Sequence, residues 1–280
     1  MTRFVPPIRR KDTAKGHHYV DATGARVPGV TTILKALPKD ALIAWAGNAT
    51  ADAAVNRWSE LSEMPPAARL KVLQKARYDD KDTAANRGTE VHHAAEDLIA
   101  GKRVDVPDDI AGHVEACARF LDNFHFEAEH VEYSVASYRH GYAGSGDWIA
   151  TVRIPPTARV PESWRPWLGE KVKILGDWKT NRSGIFAETA LQDAAYRYAD
   201  VMLTPGGGEE PMPPVQACAA VHLRSDGSYG FVPLLVDEAM HRTFLYVQQV
   251  YLWQKASDEC VGTPIHLPSA STVRLVREDR

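Results

Sequence analysis

Ile174-Leu175-Gly176-Asp177-Trp178-Lys179-Thr180 is a short apolar run that stops on a carboxylate and, two residues later, on a lysine. Read as a strand, it repeats its side-chain direction every second residue, so Asp177 and Lys179 share one face and Trp178 turns to the other. That face offers an oxygen ligand for a hard divalent cation beside a fixed positive charge, which is what hydrolysis of a phosphodiester needs. The carboxylate can hold the cation while the lysine steadies the attacking water or the charge building on the phosphoryl oxygens. Alone, Asp-x-Lys is also how an ordinary exposed strand end reads, and its weight comes from the segments around it.

Upstream, Ala143-Gly144-Ser145-Gly146-Asp147-Trp148-Ile149-Ala150-Thr151-Val152 reads as a glycine-rich turn feeding a strand that opens on a second carboxylate, Asp147. Further upstream, Arg87-Gly88-Thr89-Glu90-Val91-His92-His93-Ala94-Ala95-Glu96 has the composition of a helix. His92 lies four residues after Gly88, on the same helical face, where a missing side chain would leave room for a metal or a strand. A histidine nitrogen added to carboxylate oxygens makes Mn²⁺ more welcome. The competing reading of His92 is a surface histidine, as its neighbour His93 shows. Glu96 shares the face, either orienting His92 or simply solvated. Downstream, Gln192 and Tyr196 in Leu191-Gln192-Asp193-Ala194-Ala195-Tyr196 stand four apart on one helical face, as a polar pair or as a core tyrosine with a polar neighbour.

In this order, Gly-x-x-x-His, Gly-x-Gly-Asp, Asp-x-Lys-Thr and Gln-x-x-x-Tyr resemble the PD-(D/E)XK nuclease superfamily, specifically its RecB-like branch of phage and CRISPR-associated-type exonucleases. The likeness covers about residues 85 to 200 directly. It implies an α/β (α+β) fold with a restriction-endonuclease-like core, a mixed central sheet flanked by helices, and an N-terminal helical extension. It also implies a metal-dependent DNA exonuclease of phage or bacterial recombination, repair or replication. His92, Asp147, Asp177 and the Trp178 carbonyl would hold one or two Mg²⁺ or Mn²⁺ ions, and Lys179 would be the catalytic cation. Gln192 and Tyr196 would touch the DNA backbone near the cut, and Thr180, Asn181 and Arg182 would meet phosphates where the strand runs into a loop. Glu132, in Val131-Glu132-Tyr133-Ser134-Val135, is an accessory acidic candidate or an ordinary solvated strand residue. The implied partners are DNA with a free end and recombination or replication proteins.

Two other classes compete. A catalytically silent relative could bind DNA or act as a scaffold, since folds are reused that way; the complete set of ligands and lysine argues against it. A metal hydrolase of another bond lacks support, because neither His-Glu-x-x-His nor Gly-x-Ser-x-Gly is present.

Composition sets bounds on these readings. With 280 residues, 44% hydrophobic and 25% charged, the chain can bury a sizeable core. No apolar run approaches the roughly 20 residues that cross a bilayer, and the basic start of the chain lacks an apolar signal core, so a cytoplasmic protein is expected, in a host cell if phage-encoded. The net charge of -3 argues against a protein that coats DNA and is neutral about a metal-centred nuclease. Cys117, Cys218 and Cys260 are three dispersed thiols, too few for a four-cysteine iron-sulfur cluster, so no cluster is expected. Asn48-Ala49-Thr50 and Asn181-Arg182-Ser183 match the glycosylation pattern by accident in a cytoplasmic chain. Nothing in the sequence specifies a self-interface.

Along the chain, residues 1–80 read as a small hairpin within 17–34 followed by a helical arm, with a helix start near Thr31 or Thr32. Residues 81–280 read as the nuclease core. Its expected order is helices at 81–100 and 107–124, strands at 129–138, 147–154 and 171–178, a helix at 187–203, a loop around Gly206 to Gly208, strands at 215–224 and 229–236, and a last helix at 237–256.

Overall fold

The computed structural model describes residues 4–13, 16–38 and 40–265. The chain opens with a three-stranded antiparallel sheet of β1 (Arg9–Thr13), β2 (Gly16–Val20) and β3 (Arg26–Val27), followed by the short helix α1 (Val30–Ile33). The hairpin therefore begins at Arg9, earlier than its turn residues suggest. Tyr19 and Val27 of this sheet, with Ile8 just before it, pack on Ala136 and Ala143, which ties it to the strands of the core.

Three helices follow: α2 (Asp40–Asn56), α3 (Trp58–Ser62) and α4 (Pro66–Ile99). Pro66 sits in the first turn of α4, where its missing N–H costs nothing. Its 34 residues run without a break through the point, near residue 80, where the sequence suggests a new unit. No proline or glycine falls between Pro66 and Gly88 to interrupt it. Gly101 ends it in the left-handed region, at φ +67°. Next comes α5 (Ala111–Asn123).

The core is a seven-stranded mixed sheet. Its strands are β4 (Glu127–Ser137), β5 (Tyr142–Arg153), β6 (Lys171–Lys179), β7 (Val201–Leu203), β8 (Glu209–Pro211), β9 (Ala217–Leu223) and β10 (Tyr229–Leu234), in the spatial order β10-β9-β6-β5-β4-β7-β8. Helix α6 (Glu188–Arg197) lies between β6 and β7 in sequence, and α7 (Glu238–Ala256) closes the fold. Asp237 caps α7, its carboxylate accepting from the Met240 N–H at 2.8 Å. All neighbours are antiparallel except β6 and β9, which run parallel from Ile174↔Ala217 to Lys179↔His222.

Two apolar layers sandwich this sheet. Ile149 and Leu175 belong to the layer with α6 and α7, while Trp148, Ile174 and Trp178 belong to the layer with α5 and the C-terminal half of α4. Trp178 thus turns away from the face that Asp177 shares with Leu175, as the period of two requires. None of the described helices is long and apolar enough to cross a membrane.

Three segments differ from the sequence reading. Gly144-Ser145-Gly146 lies inside β5 and is not a turn, so Asp147 stands within the strand. A side chain at Gly144 would run into the Tyr196 ring and one at Gly146 into the Tyr133 hydroxyl. These glycines serve close packing, not chain reversal. Residues 201–203, expected to continue a helix, pair with β4 as β7, and the glycine-rich loop after them turns back into β8.

Candidate metal centre

Strands β5 and β6 pair up to Trp148↔Gly176, and one step further along stand Asp147 and Asp177. There the ladder gives way to a side chain: the Trp178 N–H donates to Asp147 Oδ2 at 2.7 Å. Asp177, 3% exposed, forms an ion pair with Lys179, and its other oxygen accepts from Gln192 Nε2 at 3.1 Å. From the neighbouring strand comes Glu132, lying between the pairs Val131↔Trp148 and Tyr133↔Gly146 and therefore opposite Asp147. Its backbone is left-handed, φ +49°, a conformation costly for a residue with a Cβ. From α4 comes His92, with Nδ1 3.6 Å from Asp147 Oδ1 and the ring also hydrogen-bonded to the Trp178 backbone. One ligand atom each from His92, Glu132 and Asp147 lie within 4.8 Å of one another.

Electrostatics explain what this arrangement lacks. Burial, and then the adjacent Asp177 charge, push the Asp147 carboxyl well above its ordinary range. Burial lowers the His92 imidazole, which leaves it neutral and able to offer a lone pair at neutral pH. Burial would also lower the Lys179 ammonium, but the charges of Asp177 and Asp147 more than offset it and the net shift is upward. A further carboxylate, Asp193, is fully buried, has no hydrogen-bond partner on either oxygen among the described residues, and is likewise raised well above the ordinary range by burial and by Asp177. Asp147, Asp177 and Asp193 thus crowd around Lys179, with Glu132 beside Asp147. Partly buried charge of one sign is costly until compensated, and hard oxygens with one imidazole nitrogen suit Mg²⁺ or Mn²⁺. The residues present fit a divalent cation.

The expected residues are distributed unequally. His92, Asp147, Asp177, Trp178 and Lys179 converge; His93 is solvent-exposed, with Nδ1 3.4 Å from Glu96 Oε1, so Glu96 pairs with His93 and does not orient His92. Glu132 joins the cluster directly. Gly88 lies against the strand end, where an added Cβ would stand 3.5 Å from Thr180 Oγ1. Arg182 is exposed. Tyr196 is 1% exposed and sits in the core, its hydroxyl accepting from Gln192 at 3.2 Å, so it reaches the centre only through Gln192 and has no surface to offer a strand. Cys117 and Cys218 are buried and Cys260 is exposed.

Other residues enter that the sequence did not single out. Ser145 Oγ lies 2.7 Å from the Tyr19 hydroxyl and 2.8 Å from Ser134 Oγ, and Arg10 Nη1 donates to it at 3.2 Å. The N-terminal sheet therefore brings a guanidinium to the flank of the centre. Asp193 did leave a sequence signal, being the one carboxylate inside Leu191-Gln192-Asp193-Ala194-Ala195, otherwise alanine, leucine and glutamine. Comparison with protein-family models gives no match, and comparison with characterised proteins gives none either.

Proposed function

We propose that the chain is a divalent-metal-dependent deoxyribonuclease with a PD-(D/E)XK-type centre, working as an exonuclease on DNA ends. One observation carries this reading: a neutral imidazole, three carboxylates and an ammonium meet where the β5–β6 ladder ends, delivered by four different elements, α4, β4, β5 and β6. Excess negative charge beside a retained lysine is suited to holding a cation and, through it, a phosphodiester.

His92, Glu132, Asp147 and Asp177 are the ligands in this proposal, with the Trp178 carbonyl as a further oxygen. A bound Mg²⁺ or Mn²⁺ would supply Lewis-acid activation of water and neutralisation of phosphoryl charge. The protein's own residues do the rest. Asp147 is oriented by the Trp178 N–H, and Asp177 by the Gln192 amide, so each carboxylate plane is already fixed for the cation it would hold. Lys179 stays protonated through the neutral range and donates to water or to a phosphoryl oxygen as charge develops there. Thr180 and Arg10 border the centre and, with the exposed Arg182 in the loop that follows, would contact neighbouring phosphates. Recombination, repair or replication is the process such an activity would serve.

The test is digestion of end-labelled linear DNA and covalently closed circles of the same sequence with Mg²⁺ or Mn²⁺. Linear DNA should be degraded from its ends and circles spared. Circles cut as fast as linear DNA would make the protein an endonuclease, and intact linear DNA under all conditions would remove the nuclease reading.

A further inference from the structure

Helix α4, strand β9 and helix α5 bring a second group of basic side chains, Arg87, His222 and His113, near the end of β6. Arg87 directly precedes Gly88, the point where α4 meets Thr180. His222 stands beside Lys179 in the parallel β6–β9 register and is 8% exposed; its Nε2 donates to the Asn181 carbonyl oxygen at 2.7 Å and so fixes the loop leaving the catalytic strand. His113, on α5, is 4% exposed. Burial and then the charges of Arg87 and His222 lower its imidazole, with only Asp109 opposing them. The charges of Arg87 on α4 and of His222 on β9 therefore both reach His113 on α5.

Two members of this group lack an acceptor among the described residues. Arg87 Nε and His113 Nδ1 are both buried and neither has a hydrogen-bond partner among the described residues. No ion pair to Arg87 exists among the described residues either. An arginine N–H out of water without a partner costs about 1–3 kcal/mol or more. A guanidinium is also the group best matched to a tetrahedral anion. Thr180 and Asn181, next to it, leave the strand that holds Lys179.

We infer that Arg87, backed by His113 and His222, is a second phosphate-binding subsite that holds the backbone of the DNA strand on the α4 side of the metal centre. The inference rests on the nuclease reading for its ligand and extends it: the strand would run across the end of β6, held by Arg87 on one side and by the Arg10–Ser145 flank on the other. Arg87 touches no reacting atom and acts as a positioning residue.

Binding of a short fluorescent single-stranded oligonucleotide, with Ca²⁺ in place of Mg²⁺ and over a range of salt, tests it. Arg87→Ala should weaken binding roughly tenfold, as for loss of one charge-assisted contact. It should reduce the slope of log affinity against log salt by roughly 0.7. Mn²⁺ affinity should stay at the wild-type value, and the melting temperature should not fall, because the substitution removes an unpartnered buried donor. Arg87→Lys should restore the slope but only part of the affinity, because lysine keeps the charge and loses the planar fork. Wild-type affinity and slope in Arg87→Ala would overturn the subsite while leaving the nuclease reading intact. A wild-type protein that ignores the oligonucleotide altogether would overturn both.

Discussion

Asp177 is held from two directions at once, by the Lys179 ammonium on one oxygen and by the Gln192 amide on the other. Its removal leaves a partly buried lysine without its partner as well as removing a proposed ligand, so Asp177→Ala and Asp147→Ala should each abolish cleavage and strongly weaken Mn²⁺ binding in calorimetry. Full activity in either variant would refute the assignment. Gln192→Ala should act more mildly, lowering metal affinity or activity about 10- to 100-fold, the usual effect of losing a group that orients a ligand; Tyr196→Phe leaves Gln192 in place and should cost less. The shared face of Asp177 and Lys179 is legible in the sequence from the period of two, whereas Asp147 and His92 stand out through the ordered motifs that carry the resemblance. Glu132 was legible only as one of two readings, because its aim depends on a left-handed backbone at φ +49°, which no periodicity rule encodes. Tyr196 was ambiguous for a different reason: a core tyrosine and a surface tyrosine have the same spacing from Gln192.

At the level of elements, the centre depends on how closely helix and strand can approach. Gly144 lets the Tyr196 ring lie on β5, and Gly176 lets Trp148 lie on β6. Gly144→Ala and Gly176→Ala should therefore each destabilise the fold by about 1–3 kcal/mol through overpacking, read as a lower urea midpoint at unchanged slope. An unchanged midpoint would mean that the aromatic rings move aside freely. The same glycines explain why β5 was read too short. A Gly-x-Gly stretch carries the local signature of a turn, and only the tyrosines facing it, from α6 and β4, reveal it as extended chain. For β7, three residues pair with β4 because the sheet offers an open edge there, so tertiary pairing overrides a local helical composition. The strands around Asp147 and Asp177 and the last helix need only local pattern, whereas the mixed sheet flanked by helices is an expectation of the resemblance that the structure bears out.

Across the whole molecule, the crowding of carboxylates links stability, pH and metal. The folded-state pKa values of Asp147 and Asp193 lie well above 3.8, raised by burial and then by Asp177. The folded state therefore keeps protons that the unfolded chain releases. Their contribution to stability is complete below the unfolded value and is lost as pH rises through the folded values. The metal-free protein should lose stability from 3.8 upward on this account, and a divalent cation should restore it by replacing those protons. Thermal melts across pH with and without Mn²⁺ should show a stabilising increment that grows with pH. An increment independent of pH would place the ion away from Asp147.

The central claim is that Lys179 and the carboxylates have separate tasks, the carboxylates holding the cation and the lysine serving the reaction. Parallel measurement of Mn²⁺ affinity and of single-turnover cleavage of a labelled linear duplex, for wild type and Lys179→Ala, tests it most directly. The account predicts that Lys179→Ala keeps its fold and binds Mn²⁺ at least as tightly as wild type, because the competing ammonium is gone from Asp177, while cleavage falls by orders of magnitude. Cleavage at the wild-type rate, or loss of Mn²⁺ binding with the fold intact, would contradict it.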